Sequence, residues 1–229
     1  MAWWSWIVVS AAVLGFDSAT PEPERANAAT GRQASVVASW HLDERSGTTA
    51  RDSSGHGHNG AIIGRVGLGI PGRAGTAYRF VPQGAVVVRD APDLHPGRAR
   101  VTISYWLKLV TRPPSYVTDY DIFVKGDAYS RGGQMTLEVQ RNGQASCMFR
   151  GALGEKQLQA GPNLINGRWH KVTCQRVGDR IIATVDGRSY SVTKATGAIT
   201  NTEPIRLGSH RGGGDWYEGA LDEVSYRIG

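Results

Sequence analysis

The chain has 229 residues, 40% of them hydrophobic, which is enough for one sizeable domain with a continuous core and too little for a second full one. Thirty glycines and ten prolines without a fixed period argue against a helical bundle and for many short elements joined by tight turns. The formal charge is +6, but the arginines are dispersed like a solvated surface and no basic run or aromatic RNA motif occurs, so nucleic acid is not an expected partner.

At the N-terminus "MAWWSWIVVSAAVLGF" is apolar and "DSATPEPERANAAT" is polar. The apolar run is short against the roughly 20 residues that span a bilayer, and Ala26, Ala28 and Ala29 offer an A-x-A cleavage site. Residues 1–29 therefore read as a secretory signal cut after about Ala28, giving an extracellular protein with no membrane span in its mature form. No Lys or Arg precedes the run, so an uncleaved anchor is the alternative. Residues 30–35 read as a linker and 36–229 as the domain. Cleavage would remove three acidic residues and one basic one, leaving the mature chain basic and compatible with an acidic extracellular polymer. Two cysteines are present, Cys147 and Cys174. An oxidising compartment lets them pair, and this disulfide is preferred over a thiol nucleophile.

In chain order, strand-like runs follow at "QASVVASWHLDE", "TAYRFV", "AVVVRD", "RVTISYWLKL", "DIFVKG", "GQMTLEVQ", "QASCMFRG", "WHKVTCQRV", "RIIATV", "SYSVT", "PIRLGS" and "GALDEVSYRI". Between the first two lies "RDSSGHGHNG", whose residue types suit both turns and chemistry. In "RVTISYWLKL" Val101, Ile103, Tyr105, Leu107 and Leu109 alternate with Thr102, Ser104, Trp106 and Lys108, the pattern of a half-buried antiparallel strand. Asn142-Gly143 and Asp186-Gly187 each supply two positive-φ residues for a two-residue hairpin turn. In "LDEVSYRI" the apolar alternation slips between Leu221 and Val224, which predicts a bulge. A dozen strands without a helical segment predict an all-β fold of two packed antiparallel sheets.

Several phrases in order, "SWHLDERSGTTARDSSGHGHNGAI", "PGRAGTAYRF", "VTISYWLKL", "DIFVKGD", "GRWHKVTCQRVGDRIIATVDG" and "YEGALDEVSYRI", resemble the laminin G-like branch of the concanavalin A-like jelly rolls. The resemblance covers about residues 36 to 228. It implies a jelly-roll sandwich whose closing strand runs beside the first, and it implies that calcium is the cofactor to look for, with Asp52 and Asp222 as candidate ligands. The competing reading of Asp52, Ser54 and Asn59 is that they hold a turn through side-chain to backbone bonds. Zinc on His56 and His58 is the weaker metal reading, because their spacing is no structural-zinc signature.

Trp106, Trp169 and Phe80 are assigned to the core, as is Tyr217. In "SHRGGGDWYEG" Arg211, Asp215 and Trp216 are the candidate ligand contacts, on a loop tip where an aromatic can stack on a sugar. The Glu-x-Asp-x-x-Glu strand of glycan-cleaving jelly rolls is absent; "GLGIPG" reads as a loop rather than a dinucleotide fingerprint; Ser209-His210 is no catalytic pair; His170 satisfies a local hydrogen bond. The chain thus reads as a secreted, non-catalytic module for carbohydrate or another extracellular polymer, possessing no catalytic residues. The rivals are a protein-binding adhesive surface domain and a glycan-active enzyme with a divergent site.

Overall fold

A computed structural model describes Met1 and residues 34–229. Apart from Met1, the expected signal and all but the end of the expected linker lie outside the described residues. Every element below belongs to the unit that ends at Gly229.

Sixteen strands are described. They are β1 (Ser35–Trp40), β2 (Thr49–Ala50), β3 (Gly60–Ile63), β4 (Val66–Pro71), β5 (Thr76–Phe80), β6 (Ala85–Val88), β7 (Val101–Lys108) and β8 (Asp119–Lys125), then β9 (Gln134–Gln140), β10 (Ala145–Gly151), β11 (Gly154–Ala160), β12 (His170–Val177), β13 (Arg180–Val185), β14 (Arg188–Thr193), β15 (Ile205–Leu207) and β16 (Gly219–Ile228). One short 3-10 turn, Pro92–Leu94, is the helical content among the described residues. The first sheet runs β14-β13-β12-β7-β16-β5-β4 with β1 also paired to β16, and the second runs β11-β10-β9-β8-β15-β6-β3-β2. All ladders between named strands are antiparallel, so the fold is the expected all-β jelly-roll sandwich.

Alternation along each strand makes this packing possible, because successive side chains point to opposite faces. In β7, Val101, Ile103, Tyr105 and Leu107 are buried while Thr102, Ser104 and Trp106 are only partly so. Trp40, Phe80, Tyr105 and Tyr226 from the first sheet meet Phe123, Leu137 and Phe149 from the second in one core. Cys147 of β10 and Cys174 of β12 are joined by a disulfide, with Cα atoms 5.6 Å apart, so the bridge ties one sheet to the other.

The ends of the domain lie side by side: Ser35 pairs with Ile228 and Trp40 with Val224. The expected bulge is present, as the β16–β7 register shifts between Asp222 and Ser225 and Glu223 takes φ +50°. Asp186 and Gly187 both have positive φ, as a two-residue turn between Val185 and Arg188 requires. The other hairpin differs. Only Gly143 is left-handed, and Gln140 bonds Gln144 across three intervening residues, so the turn is a longer type closed by one glycine rather than the two-residue form.

Two further expectations are corrected. "GLGIPG" is not a loop, since it falls largely within β4, an edge strand whose pairing with β5 is broken by a register shift between Gly67 and Ile70. Trp106 and Trp169 are not core residues. Trp106 lies on the outer face of β7 beneath the Arg73 guanidinium, 4.7 Å from its ring centre, and Trp169 lines a surface hollow with Ile70, Leu109 and Val110. Among the described residues the fully buried tryptophan is Trp40.

Candidate functional site

The glycine-rich stretch "RDSSGHGHNG" is a turn built on one carboxylate. Asp52 Oδ1 accepts from the backbone N–H groups of Ser39 and Ser54, each at 2.9 Å, and Oδ2 accepts from Ser54 Oγ at 2.7 Å and His58 N at 2.9 Å. Burial alone would raise Asp52, but these donors hold it below the usual carboxylate range. Asn59 Oδ1 accepts the Asp52 N–H at 2.8 Å, and Trp40 Nε1 donates to the His58 carbonyl at 2.8 Å. His58 Nε2 contacts Asp93.

Asp222 belongs to a different cluster. Its Oδ2 accepts from the N–H groups of Arg73 and Ala74 at 2.6 and 3.1 Å, while Oδ1 is buried without a partner. Burial raises its carboxyl despite those bonds. No hydrogen bond or shared group of metal-ligating side chains joins Asp52 to Asp222 among the described residues. His170 is held by Asp186 at 2.7 Å and Asn166 at 2.9 Å.

A different place gathers chemistry. On the outer face of the second sheet, Gln134, Thr136 and Glu138 of β9 alternate with the core residues Met135, Leu137 and Val139, yet this outward row is also buried. With Asp119, Asp121 and Val124 of β8 and residues of two loops, these side chains line a hollow of about 300 Å³. One loop, residues 126–129, raises Tyr129 at its tip, fully exposed to solvent. The other carries His210, Arg211 and Asp215.

That second loop is fixed to β8 at both ends. Gly208 N–H donates to the Ile122 carbonyl at 3.1 Å, and Asp121 N–H donates to the Asp215 carbonyl at 2.9 Å. Arg211 bonds Glu203 Oε1 at 2.6 Å. Of the three residues expected on this loop, Arg211 and Asp215 line the hollow, whereas Trp216 lines the neighbouring one with Tyr116, Pro114 and Tyr120. Tyr217 is buried, as expected.

The hollow is acidic. Asp121 lies directly opposite Glu138 on the paired strand, and Asp119, Asp121 and Glu138 hold carboxylate oxygens within 4.8 Å of one another, as do Asp121 and Asp215 with His210. Burial, then Asp119, pushes Glu138 up to about 7, although Ser146 and Gln157 bond its charged form. Burial, then the Glu138, Asp119 and Asp215 charges, raises Asp121 well above its ordinary range. Asp119, Asp121, Glu138 and His210 were not among the expected site residues. Their signal is faint, because Asp119 and Asp121 share a strand face in "DYDIFVKG" but Glu138 joins them only through the β8–β9 register.

With this geometry in view, a family description of the concanavalin A-like lectin/glucanases superfamily, in its laminin G form, matches residues 83–226. The chain belongs to that family. No curated protein matches it in sequence. Among solved structures, the binding domain of Paraclostridial Mosquitocidal Protein 1 aligns with TM-score 0.66 and 15% identity over 84% of this chain and 48% of that one. Domain 4 of AbnA, an extracellular GH43 arabinanase from Geobacillus stearothermophilus solved with arabinotriose, aligns with TM-score 0.63 and 17% identity over 86% of this chain and 93% of that one. The binding domain of Botulinum Neurotoxin DC, solved with SialylT, gives TM-score 0.61 and 13% identity over 84% and 47%. The chain spans about half the length of the two toxin binding domains. At these identities the likeness is one of fold.

Proposed function

We propose that the protein is an exported, non-catalytic binding module that holds a glycan or related extracellular polymer against the outer face of β8–β11. The observation that carries this reading is the hollow itself, which Gln134, Thr136 and Glu138 of β9 line together with the exposed Tyr129. Amide and carboxylate groups pair with sugar hydroxyls, and an aromatic face covers their C–H surfaces. Arg211 and Asp215 contact the ligand from the loop, and Trp216 extends the surface toward Tyr116. The arabinanase domain solved with arabinotriose and the neurotoxin domain solved with SialylT are compatible precedents on the same fold.

The acidic lining favours a neutral polymer over the acidic one that the net charge allows. The absence of the Glu-x-Asp-x-x-Glu strand of glycan-cleaving jelly rolls from the sequence supports binding over hydrolysis. The disulfide supports an extracellular location, and no described helix is long and apolar enough to cross a membrane. Calcium belongs to the proposal as the structural ion.

A glycan array tests the reading. Saturable binding to neutral oligosaccharides that Tyr129→Ala and Gln134→Ala weaken at least about tenfold, about 1.4 kcal/mol, supports it. An array without signal, or binding indifferent to both changes, overturns it in favour of a protein-binding surface. New reducing ends released from the bound glycan would instead show an enzyme.

A further inference from the structure

One carboxylate in the hollow has no partner. Asp121 is 3% exposed, lines the hollow, and accepts no side-chain hydrogen bond from any described residue. Buried carboxylates are ordinarily held by donors or cations, because dehydration is otherwise uncompensated. The buried Lys125 at the other end of β8 shows the usual arrangement: its ammonium donates to Asp90 and to the Glu203 carbonyl.

Asp121 is surrounded by acids instead. Glu138 is its direct cross-strand neighbour, and like charges in that position repel. Arg211, a cation lining the hollow, is bonded to Glu203, and His210 stands 3.6 Å from Asp215. The Glu138, Asp119 and Asp215 charges, after burial, all oppose ionisation of Asp121.

We infer that this floor is a divalent-cation site, with Asp121 its central ligand, Asp119 and Glu138 its flanking ligands and calcium the matching ion. The donors are hard oxygens, which calcium prefers. Two oxygens bound at about 2.4 Å from one ion stand at most about 4.8 Å apart, and the Asp119, Asp121 and Glu138 oxygens meet that limit. The alternative set of Asp121, Asp215 and His210 shares Asp121 and brings Asp215 near enough to close the site from the loop. Such an ion relieves the carboxylate repulsion and ties β8 and β9 to residues 208–216. The site is distinct from Asp52, both of whose oxygens are occupied by backbone and hydroxyl donors, whereas Glu138 accepts its donors on Oε2 and Asp119 on Oδ2, each leaving its other oxygen for an ion, and it does not rest on the glycan reading.

The ion alone tests it. Full-length protein is stripped with EDTA, dialysed and titrated with CaCl2 by calorimetry, with thermal melts in parallel. One ion per chain and a rise in Tm are expected, since an ion bound only by the folded state raises apparent stability. Asp121→Asn and Glu138→Gln are each expected to melt no lower than the parent in EDTA, because a like charge is removed, and to weaken calcium about 100-fold by loss of a carboxylate ligand. Asp52→Asn should bind calcium as the parent does. No heat and no Tm change up to about 10 mM CaCl2, beyond the weak range of extracellular modules, would overturn the inference, as would parental calcium affinity in both groove variants. These results are independent of whether the glycan array shows binding.

Discussion

Reducing the inter-sheet disulfide should cost a large share of the protein's stability. Cys147 and Cys174 are fully buried and separated by 27 positions, and closing a loop of that length in the unfolded chain is worth about 3.5 kcal/mol by the chain-entropy relation. The cross-link joins β10 to β12, strands of opposite sheets, so it also limits separation of the two layers. Replacing both residues by alanine removes buried sulfur as well, adding about 1 kcal/mol of packing loss. Against a typical net stability of about 5–15 kcal/mol, either change is severe. Urea unfolding of oxidised protein, reduced protein and Cys147→Ala/Cys174→Ala, followed by tryptophan fluorescence, separates the contributions. Reduction should lower stability by about 3–4 kcal/mol, and the double variant by slightly more. Equal midpoints for the oxidised and reduced forms would refute the reasoning.

Three further outcomes are expected. Asp52→Ala strips the acceptors from Ser39, Ser54 and His58 and should destabilise by about 2 kcal/mol, with faster amide exchange across residues 53–60 measured by mass spectrometry. Burial tends to raise Asp90, yet hydrogen bonds from Lys125 and His95 hold it below its ordinary value. Its folded pKa is therefore depressed, so its stabilisation is present above the unfolded value near 3.8 and is lost as pH falls through the lower folded value. Asp90→Asn should remove that acid-limb dependence from Tm and, by leaving buried Lys125 without its carboxylate, cost about 3–5 kcal/mol at neutral pH. Gly187→Ala, at φ +85°, should cost about 1 kcal/mol in urea midpoint analysis, whereas a change of similar size at exposed Lys194 should cost little.

The residues that were legible in sequence are those whose signal is local. The alternation in β7, the slipped alternation at Asp222–Val224 and the Asp186-Gly187 turn each report on neighbours along the chain, and the structure places them as read. β4 and β11 lie at sheet edges, where one side meets solvent and side-chain patterning relaxes; "GEKQLQA" and "GLGIPG" accordingly carry no clean strand signature. Trp106 is large and apolar, but its place opposite the core-facing row of β7 puts it outside, so parity along the strand outweighs hydrophobicity. Arg211 and Asp215 are legible because a glycine-rich tip advertises a loop. Asp121 and Glu138 are not, since each is an ordinary strand residue until antiparallel register sets one across from the other.

The central claim is that the outer face of β8–β11 is the binding face. Backbone amide NMR of labelled protein, titrated with the strongest neutral oligosaccharide from the array, tests it most directly. Saturable shifts concentrated at Asp121, Gln134, Thr136, Glu138, Tyr129 and Arg211 are predicted. Shifts centred on the hollow around Trp169, Leu109 and Val110, with the β8–β9 amides unmoved, would contradict it.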